Sequence, residues 1–139
     1  MIVLVCGGRT YGYRPEERRD LFAALSEVHA SERIDLLVHG AAQGADSLAE
    51  EWARGLEVPY LGMPAKWKTL ARHVAGPSRN RDMLDTRRAH FPFQIPIDLV
   101  IAFPGGSGTE DMKTAARTAG VRVWEPIDTE GACPTTPPA

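Results

Sequence analysis

Short apolar runs alternate along the chain with longer stretches of helical period, and several joins between them are rich in glycine. A buried strand of a parallel sheet reads as a short apolar run, and an amphipathic helix usually connects it to the next parallel strand. The alternation therefore predicts a single doubly wound α/β domain with about five parallel strands flanked by helices. The predicted strands are residues 2–5, 35–39, 58–61, 97–103 and 121–124.

Four stretches of helical period predict the connecting helices. The first covers residues 15–30, the second follows the second strand, and the fourth ends at Gly120. The third is expected to begin at Ser78, a candidate N-cap that Pro77 precedes. This leaves residues 62–77 as an irregular connection, and connections of that length are commonly functional loops or lids.

Length and composition limit the number of domains and the classes of partner. The 139 residues suffice for one domain with a real core, and hydrophobic and charged fractions of 43% and 24% exclude a disordered or fibrous protein. The domain is expected over residues 1–125, and the proline-rich residues 126–139 are expected to form a flexible tail. A net charge of -2 excludes a uniformly basic nucleic-acid coat, although it leaves room for a local basic patch.

Cysteine content and hydropathy indicate the compartment. Cys6 and Cys133 are too few for a disulfide framework, so a reducing environment is expected. The first apolar run leads straight into glycines, without the basic leader of a signal peptide, and the longest apolar runs are far shorter than a membrane span. We therefore expect a cytoplasmic protein without a membrane partner.

Three glycine-rich loops are predicted to form a ligand site. Ligands of open α/β sheets bind beyond the carboxyl ends of the strands, where the strand order reverses. We expect the first and fourth strands to lie side by side at that point, so that residues 7–13 and 104–111 meet there. The turn of residues 40–46 follows the second strand at the same edge.

The loop after the fourth strand has the composition of a phosphate cradle. Glycines let the backbone approach an anion, and the free N–H groups at a helix start point at it. The alternative is a tight turn in which Thr109 only caps the helix. No lysine follows the last glycine, and Asp111 replaces the third glycine of the dinucleotide fingerprint, which disfavours ATP hydrolysis and standard NAD binding. The residues expected to contact the ligand are Pro104, Gly105, Gly106, Ser107, Gly108 and Thr109.

Two acidic residues follow in the first helical turn. Glu110 and Asp111 suit the helix dipole, but they would repel a phosphate that their carboxylates faced. Asp111 is more useful when it points at a ribose hydroxyl or at a reacting centre.

The loop after the first strand offers a cation and an aromatic ring. The guanidinium of Arg9 can fork onto a phosphate, and Tyr11 offers a stacking face for a base. A surface loop with solvated aromatic side chains is the alternative. Gly7 and Gly8 are expected at the ligand in the first case.

The turn of residues 40–46 is the third candidate. Asp46 can accept ribose hydroxyls, or it can be an ordinary acidic residue in a first helical turn. Gly40 and Gly44 are the glycines expected at the ligand here.

Basic residues concentrate in residues 66–88, which hold seven of the 16 lysines and arginines. A solvated helix face explains part of this run, and nucleic-acid contact is the alternative. Arg79 and Asn80 lie at the predicted start of the third helix, where an arginine can reach a phosphate. Trp67 can close over a base or pin the loop to the core.

Other kinds of site are not predicted. The histidines show no metal spacing, the cysteines form no CxxC pair, and no serine lies in a GxSxG motif. We expect no metal, no cofactor and no serine triad.

Five motifs in order, GGRTY, HGAAQGAD, PAKW, AGPSRNRDM and IAFPGGSGTEDM, carry a resemblance that spans about residues 2–124. Together they resemble the SLOG superfamily, specifically its short YspA/YpsA-related branch of bacteria and phages. The resemblance implies a Rossmann-like fold that binds nucleotides or nucleotide-derived ligands. Many such relatives are thought to act as sensors in conflict and stress systems.

The resemblance also implies an alternative function. The Lonely Guy enzymes of this superfamily release free base from nucleoside 5′-monophosphates, with an arginine at a position that Arg79 matches and a glutamate where this chain has Met112. A thioether cannot replace that carboxylate, so Asp111 or Glu110 would have to assist in a hydrolase. DNA-processing A proteins also belong here, but the net charge of -2 gives no obvious single-stranded DNA surface.

We therefore expect a binding module for a nucleotide or nucleotide-derived molecule. Gly105 to Thr109 would hold the phosphate, Arg9 and Arg79 would neutralise it, and Asp46 would take ribose hydroxyls. An N-glycosidase is the alternative, and a single-stranded nucleic-acid binder is the third hypothesis. A homo-oligomer stays open, because relatives of this fold often pair through helix faces.

Overall fold

The computed structural model of this protein describes residues 1–127, with only the backbone of Arg72. Its strands and helices alternate along the chain, and a short 3-10 helix, Thr86–Ala89, follows the third helix. The strands are β1 (Ile2–Cys6), β2 (Leu36–His39), β3 (Tyr60–Gly62), β4 (Leu99–Ala102) and β5 (Arg122–Trp124). The helices are α1 (Pro15–Ser31), α2 (Ala45–Gly55), α3 (Arg72–Leu84) and α4 (Ser107–Thr118).

The five strands form one parallel sheet in the order β3-β2-β1-β4-β5. The chain moves outward from β1 to β3, then returns to the other side of β1 and continues to β5. The predicted pairing of the first and fourth strands is confirmed, with Val3 opposite Leu99 and Val5 opposite Ile101. The strand order therefore reverses between β1 and β4, which is where such sheets bind ligands.

Alternating side chains of β1 separate two apolar layers. Val3 and Val5 pack with buried residues of α1 and α2, whereas Leu4 and Cys6 pack with Met83 of α3 and with buried residues of α4. Helices thus cover both faces of the sheet, and this explains why its strands read as continuous apolar runs. The predicted doubly wound α/β fold is confirmed.

The third helix begins at Arg72, and not at Ser78 as predicted. Its N-cap is Ala71, and Pro77 lies inside the helix, where its ring removes one backbone donor. The sequence prediction treated this proline as a boundary, whereas packing of α3 against α4 supports a helix through it. Arg79 therefore lies in the middle of a helix.

The packed chain continues past the predicted domain boundary at residue 125. Pro126 is buried, and Ile127 packs against the apolar layer that contains α1 and α2. The rest of the predicted tail, residues 128–139 with Cys133, lies outside the described residues.

Candidate functional site

A cavity of about 860 Å³ lies at the carboxyl edge of the sheet, between α3 and the first turn of α4. It is open at the point where the strand order reverses, and all three predicted glycine-rich loops reach it. Most of the predicted ligand residues lie around this one space. They are Gly7, Gly8, Arg9, Gly40, Asp46, Trp67, Arg79, Asn80, Gly106, Ser107, Gly108, Thr109 and Asp111.

Three further predicted residues, Gly44, Pro104 and Gly105, join the loops instead of lining the cavity. The N–H of Gly8 donates to Pro104 O at 2.8 Å, and a Cβ on Gly8 would lie 2.9 Å from the same oxygen. A Cβ on Gly105 would overlap the Thr109 hydroxyl and the Gly8 N. Gly44 has a φ of +77°, and a Cβ there would collide with the carbonyl oxygens of Gly8 and Arg9. Only glycine allows these backbones to approach so closely.

The first turn of α4 presents free backbone donors to the cavity. Its N-cap is Gly106, and no side chain described within residues 1–127 caps the helix. The N–H of Glu110 donates to Gly106 O at 3.1 Å, so those of Ser107, Gly108 and Thr109 precede the first hydrogen bond of the helix. The alternative in which Thr109 caps the helix is therefore wrong.

Asn80 connects α3 to the start of α4. Its side chain is buried, and Nδ2 donates to Gly108 O at 3.2 Å and to Asp111 Oδ2 at 3.0 Å. Its Oδ1 accepts from Arg79 Nε at 3.1 Å. Asn80 therefore fixes the cavity wall and orients its neighbours, and its own polar atoms already have protein partners.

Two guanidinium groups border the cavity. Arg79 Nη1 donates to Gly40 O, and the Arg9 guanidinium carbon lies 5.4 Å from the centre of the Trp67 ring. Burial lowers the pKa of Arg79, and the neighbouring charge of Arg9 lowers it further, against the opposing charge of Asp46. The ring of Trp67 lies against the Arg9 guanidinium at the cavity, and its two predicted roles, closing over a base or pinning the loop to the core, stay predictions.

The turn after β2 is held by two side chains. Asp46 Oδ2 accepts from the N–H of Gly40 at 3.1 Å and of Ala42 at 3.2 Å, and His39 Nδ1 accepts from Ala41 N at 2.9 Å. Burial raises the pKa of the Asp46 carboxyl, while the Ala42 N–H and nearby His39 favour its charged form. One oxygen of Asp46 is thus committed to loop structure.

Tyr11 is a core residue, and the prediction that it stacks on a base is wrong. Only 5% of it is exposed, and its ring centre lies 5.4 Å from that of Phe103. Its hydroxyl has no hydrogen-bond partner within residues 1–127, and burial raises its pKa. The aromatic residue that does reach the cavity is Trp67.

Replacing Tyr11 with phenylalanine is expected to raise the free energy of unfolding by about 1 kcal/mol, because it removes a buried hydroxyl that lacks a partner. Urea denaturation measures the change. Tyr13→Phe is the matched control, since Tyr13 is 92% exposed and should show no effect. A loss of stability in Tyr11→Phe would mean that the hydroxyl has a partner after all.

The two acidic residues in the first turn of α4, Glu110 and Asp111, have different surroundings. Asp111 lines the cavity, whereas Glu110 pairs with Lys113 Nζ at 2.5 Å and does not line it. Met112, at the position of the hydrolase glutamate, is fully buried in the apolar layer that contains α3 and α4. The described structure therefore points one carboxylate of this helix into the cavity.

The basic segment is partly neutralised by neighbouring carboxylates. Arg81 lies 3.9 Å from Asp111, and Arg88 lies 3.7 Å from Asp82. Arg87 lies 3.5 Å from Asp85. These pairs favour a solvated helix face over a nucleic-acid surface.

The sequence prediction missed part of the cavity wall that α3 forms. His73, Gly76, Pro77 and Met83 line the cavity beside Asn80, which was predicted. Their spacing places them on one helix face, and a helix starting at Arg72 would have predicted it. Cys6, the last residue of β1, also lines the cavity, and burial raises its pKa to about 12, so its thiol stays protonated at neutral pH.

The described part of the chain lacks two other features. Residues 1–127 contain no group of three or more His, Cys, Asp and Glu side chains that would hold a metal ion. None of the helices there is both long and apolar enough to cross a bilayer.

Comparisons with known proteins agree with the fold. The sequence model of the family described as "YAcAr: YspA, cpYpsA-related SLOG family" matches residues 1–70. The Gene 61 protein of Mycobacterium phage D29 is 30% identical over an alignment of 129 positions, which covers 87% of this chain and 92% of that protein. The X-ray structure of TM1055 matches with a TM-score of 0.62 at 19% identity, covering 96% of this chain and 77% of TM1055. This last likeness is one of fold.

Proposed function

The chain belongs to the YspA, cpYpsA-related SLOG family, and from that premise we propose that it binds a nucleotide or a nucleotide-derived small molecule as a sensor or ligand-binding module. The phosphate lies against the first turn of α4. Gly106, Ser107, Gly108 and Thr109 supply backbone and hydroxyl donors there.

One observation carries this proposal. The uncapped start of α4 and the guanidinium groups of Arg9 and Arg79 border the same cavity of about 860 Å³. Both elements favour an anion, and the cavity has the volume of an ordinary small-molecule site. A Cβ on Gly106 or Gly108 would meet no atom within 4 Å, so these glycines leave space for the ligand.

We assign recognition of the ribose to two carboxylates that line the same cavity. Asp46 Oδ2 is bonded to backbone donors, and within residues 1–127 no hydrogen bond reaches its Oδ1, which we assign to a ribose hydroxyl. Asp111, which faces the same cavity, is the second candidate acceptor.

Cleavage of the N-glycosidic bond is the less favoured alternative. Arg79 and Asp111 border the cavity together, as that reaction would require, but Met112 is fully buried and brings no carboxylate to it. One oxygen of the Asp111 carboxylate also accepts a hydrogen bond from Asn80 at 3.0 Å, so this side chain already has a structural role.

Calorimetric titration with nucleoside 5′-monophosphates and the matching nucleosides tests the proposal. We expect the phosphate to improve affinity at least about tenfold, since charge-assisted hydrogen bonds contribute roughly 1.5–3 kcal/mol each. Equal affinities for nucleoside and nucleotide would contradict phosphate recognition. Chromatography of the same mixtures should recover the nucleotide intact. If the unchanged protein releases free base and the Asp111→Asn variant does not, the protein is a hydrolase instead.

A further inference from the structure

A second cavity of about 480 Å³ adjoins the first. It lies between the turn after β2 and the segment that follows β3, where Gln43, Pro64 and Ala65 line it. Arg9, Arg79 and Trp67 border both cavities. The two cavities are therefore neighbouring compartments, and we call their shared border of Arg9, Arg79 and Trp67 the waist.

The waist carries more positive than negative charge. Ion pairs formed within residues 1–127 involve cations other than Arg9 and Arg79. Arg79 is bonded to a carbonyl and an amide oxygen, and Arg9 lies over the Trp67 ring. Asp46 is the carboxylate whose charge reaches Arg79, and one of its oxygens is already bonded to backbone. Neither guanidinium group forms an ion pair within residues 1–127, so both can bind an anion.

The proposed function uses the start of α4 for one phosphate, and the arginine pair borders both cavities, so a second anionic group can lie there on the way to the second cavity. Resting on the proposed function, we propose that the ligand is a nucleoside diphosphate that carries a second organic group. The nucleoside and its proximal phosphoryl group occupy the first cavity, and the distal phosphoryl group lies between Arg9 and Arg79. The second group enters the second cavity.

The lining of the second cavity suits a polar ring such as a sugar. The exposed amide of Gln43 can exchange hydrogen bonds with hydroxyl groups, and the half-exposed indole of Trp67 offers a flat face. Pro64 and Ala65 supply apolar contact on the remaining side.

Calorimetry with three matched series tests this inference: AMP, ADP and ADP-glucose; GMP, GDP and GDP-mannose; UMP, UDP and UDP-glucose. In the series with the preferred base, we expect the diphosphate to bind more tightly than the monophosphate, and the conjugate with a second organic group to bind at least tenfold more tightly than the diphosphate. Ala65→Trp fills the second cavity and should abolish this gain while changing monophosphate affinity less than twofold. Gln43→Trp, at an exposed loop position, gives an independent second block.

Ala30→Trp, on the exposed face of α1, is the control and should retain the gain. Monophosphate binding without any gain for the conjugates would overturn this inference and leave the proposed function standing. A gain that persists in both blocked variants would also overturn it, because the second group would then lie elsewhere. Absence of binding in all three series would overturn the proposed function and this inference together.

Discussion

Replacing Gly106 with leucine is expected to lower nucleotide affinity by about 100-fold or more while the fold survives. The side chain would enter the space where the proposed phosphate meets the start of α4, and losing two charge-assisted hydrogen bonds costs about 3 kcal/mol. No atom lies within 4 Å of a Cβ at this position, and the φ of −94° is one that other residues adopt. Calorimetry measures the affinity, and urea denaturation should show a loss of no more than about 1 kcal/mol, because leucine is a poorer N-cap residue than glycine.

Gly55→Leu is the matched control for this substitution. Gly55 is the exposed last residue of α2, a Cβ there also meets no atom within 4 Å, and the residue does not line the cavity. It should bind nucleotide as the unchanged protein does. Unchanged affinity in a folded Gly106→Leu variant would show that the phosphate does not bind at the start of α4.

Replacing Asn80 with leucine is expected to reduce the free energy of unfolding by about 2 kcal/mol. The substitution removes two hydrogen bonds made by a buried amide, to Gly108 O and to the Asp111 carboxylate, and a typical hydrogen bond contributes about 1 kcal/mol. Because Asn80 also positions Arg79, nucleotide affinity should fall in the molecules that remain folded. Urea denaturation and calorimetry measure the two effects.

A double-mutant cycle separates the Asn80 contacts. Asn80→Ala and Asp111→Ala, measured singly and together, should show a coupling energy of about 1 kcal/mol or more for side chains in direct contact. Additive effects would mean that the hydrogen bond between them contributes nothing to stability, and that α3 is held by other contacts.

The fold was predictable because its strongest signals are local. Each buried strand of the sheet is a short apolar run, and Gly120 ends α4 with a φ of +78° that favours glycine. The start of α3 was not predictable in the same way, because Pro77 is a strong local breaker signal. Only the packing of α3 on α4, a contact between distant segments, places that proline inside a helix.

The candidate site was predictable where backbone chemistry defines it. The glycine-rich loops, Arg9 and Arg79 all reach the cavity, since residues after neighbouring parallel strands must meet at one edge. The predictions that failed are those that depend on the direction of a side chain. Tyr11 turns into the core and Glu110 turns to Lys113, and neither direction follows from a position in a loop or first turn.

Amide NMR of the ¹⁵N-labelled protein, titrated with a nucleoside 5′-monophosphate and with the matching nucleoside, tests the central claim most directly. We predict that the nucleotide shifts the backbone N–H resonances of Ser107, Gly108 and Thr109 far more than the nucleoside does, because these three donors would bind its phosphate. Shifts confined to other parts of the chain, or equal shifts with both compounds, would contradict a phosphate site at the start of α4.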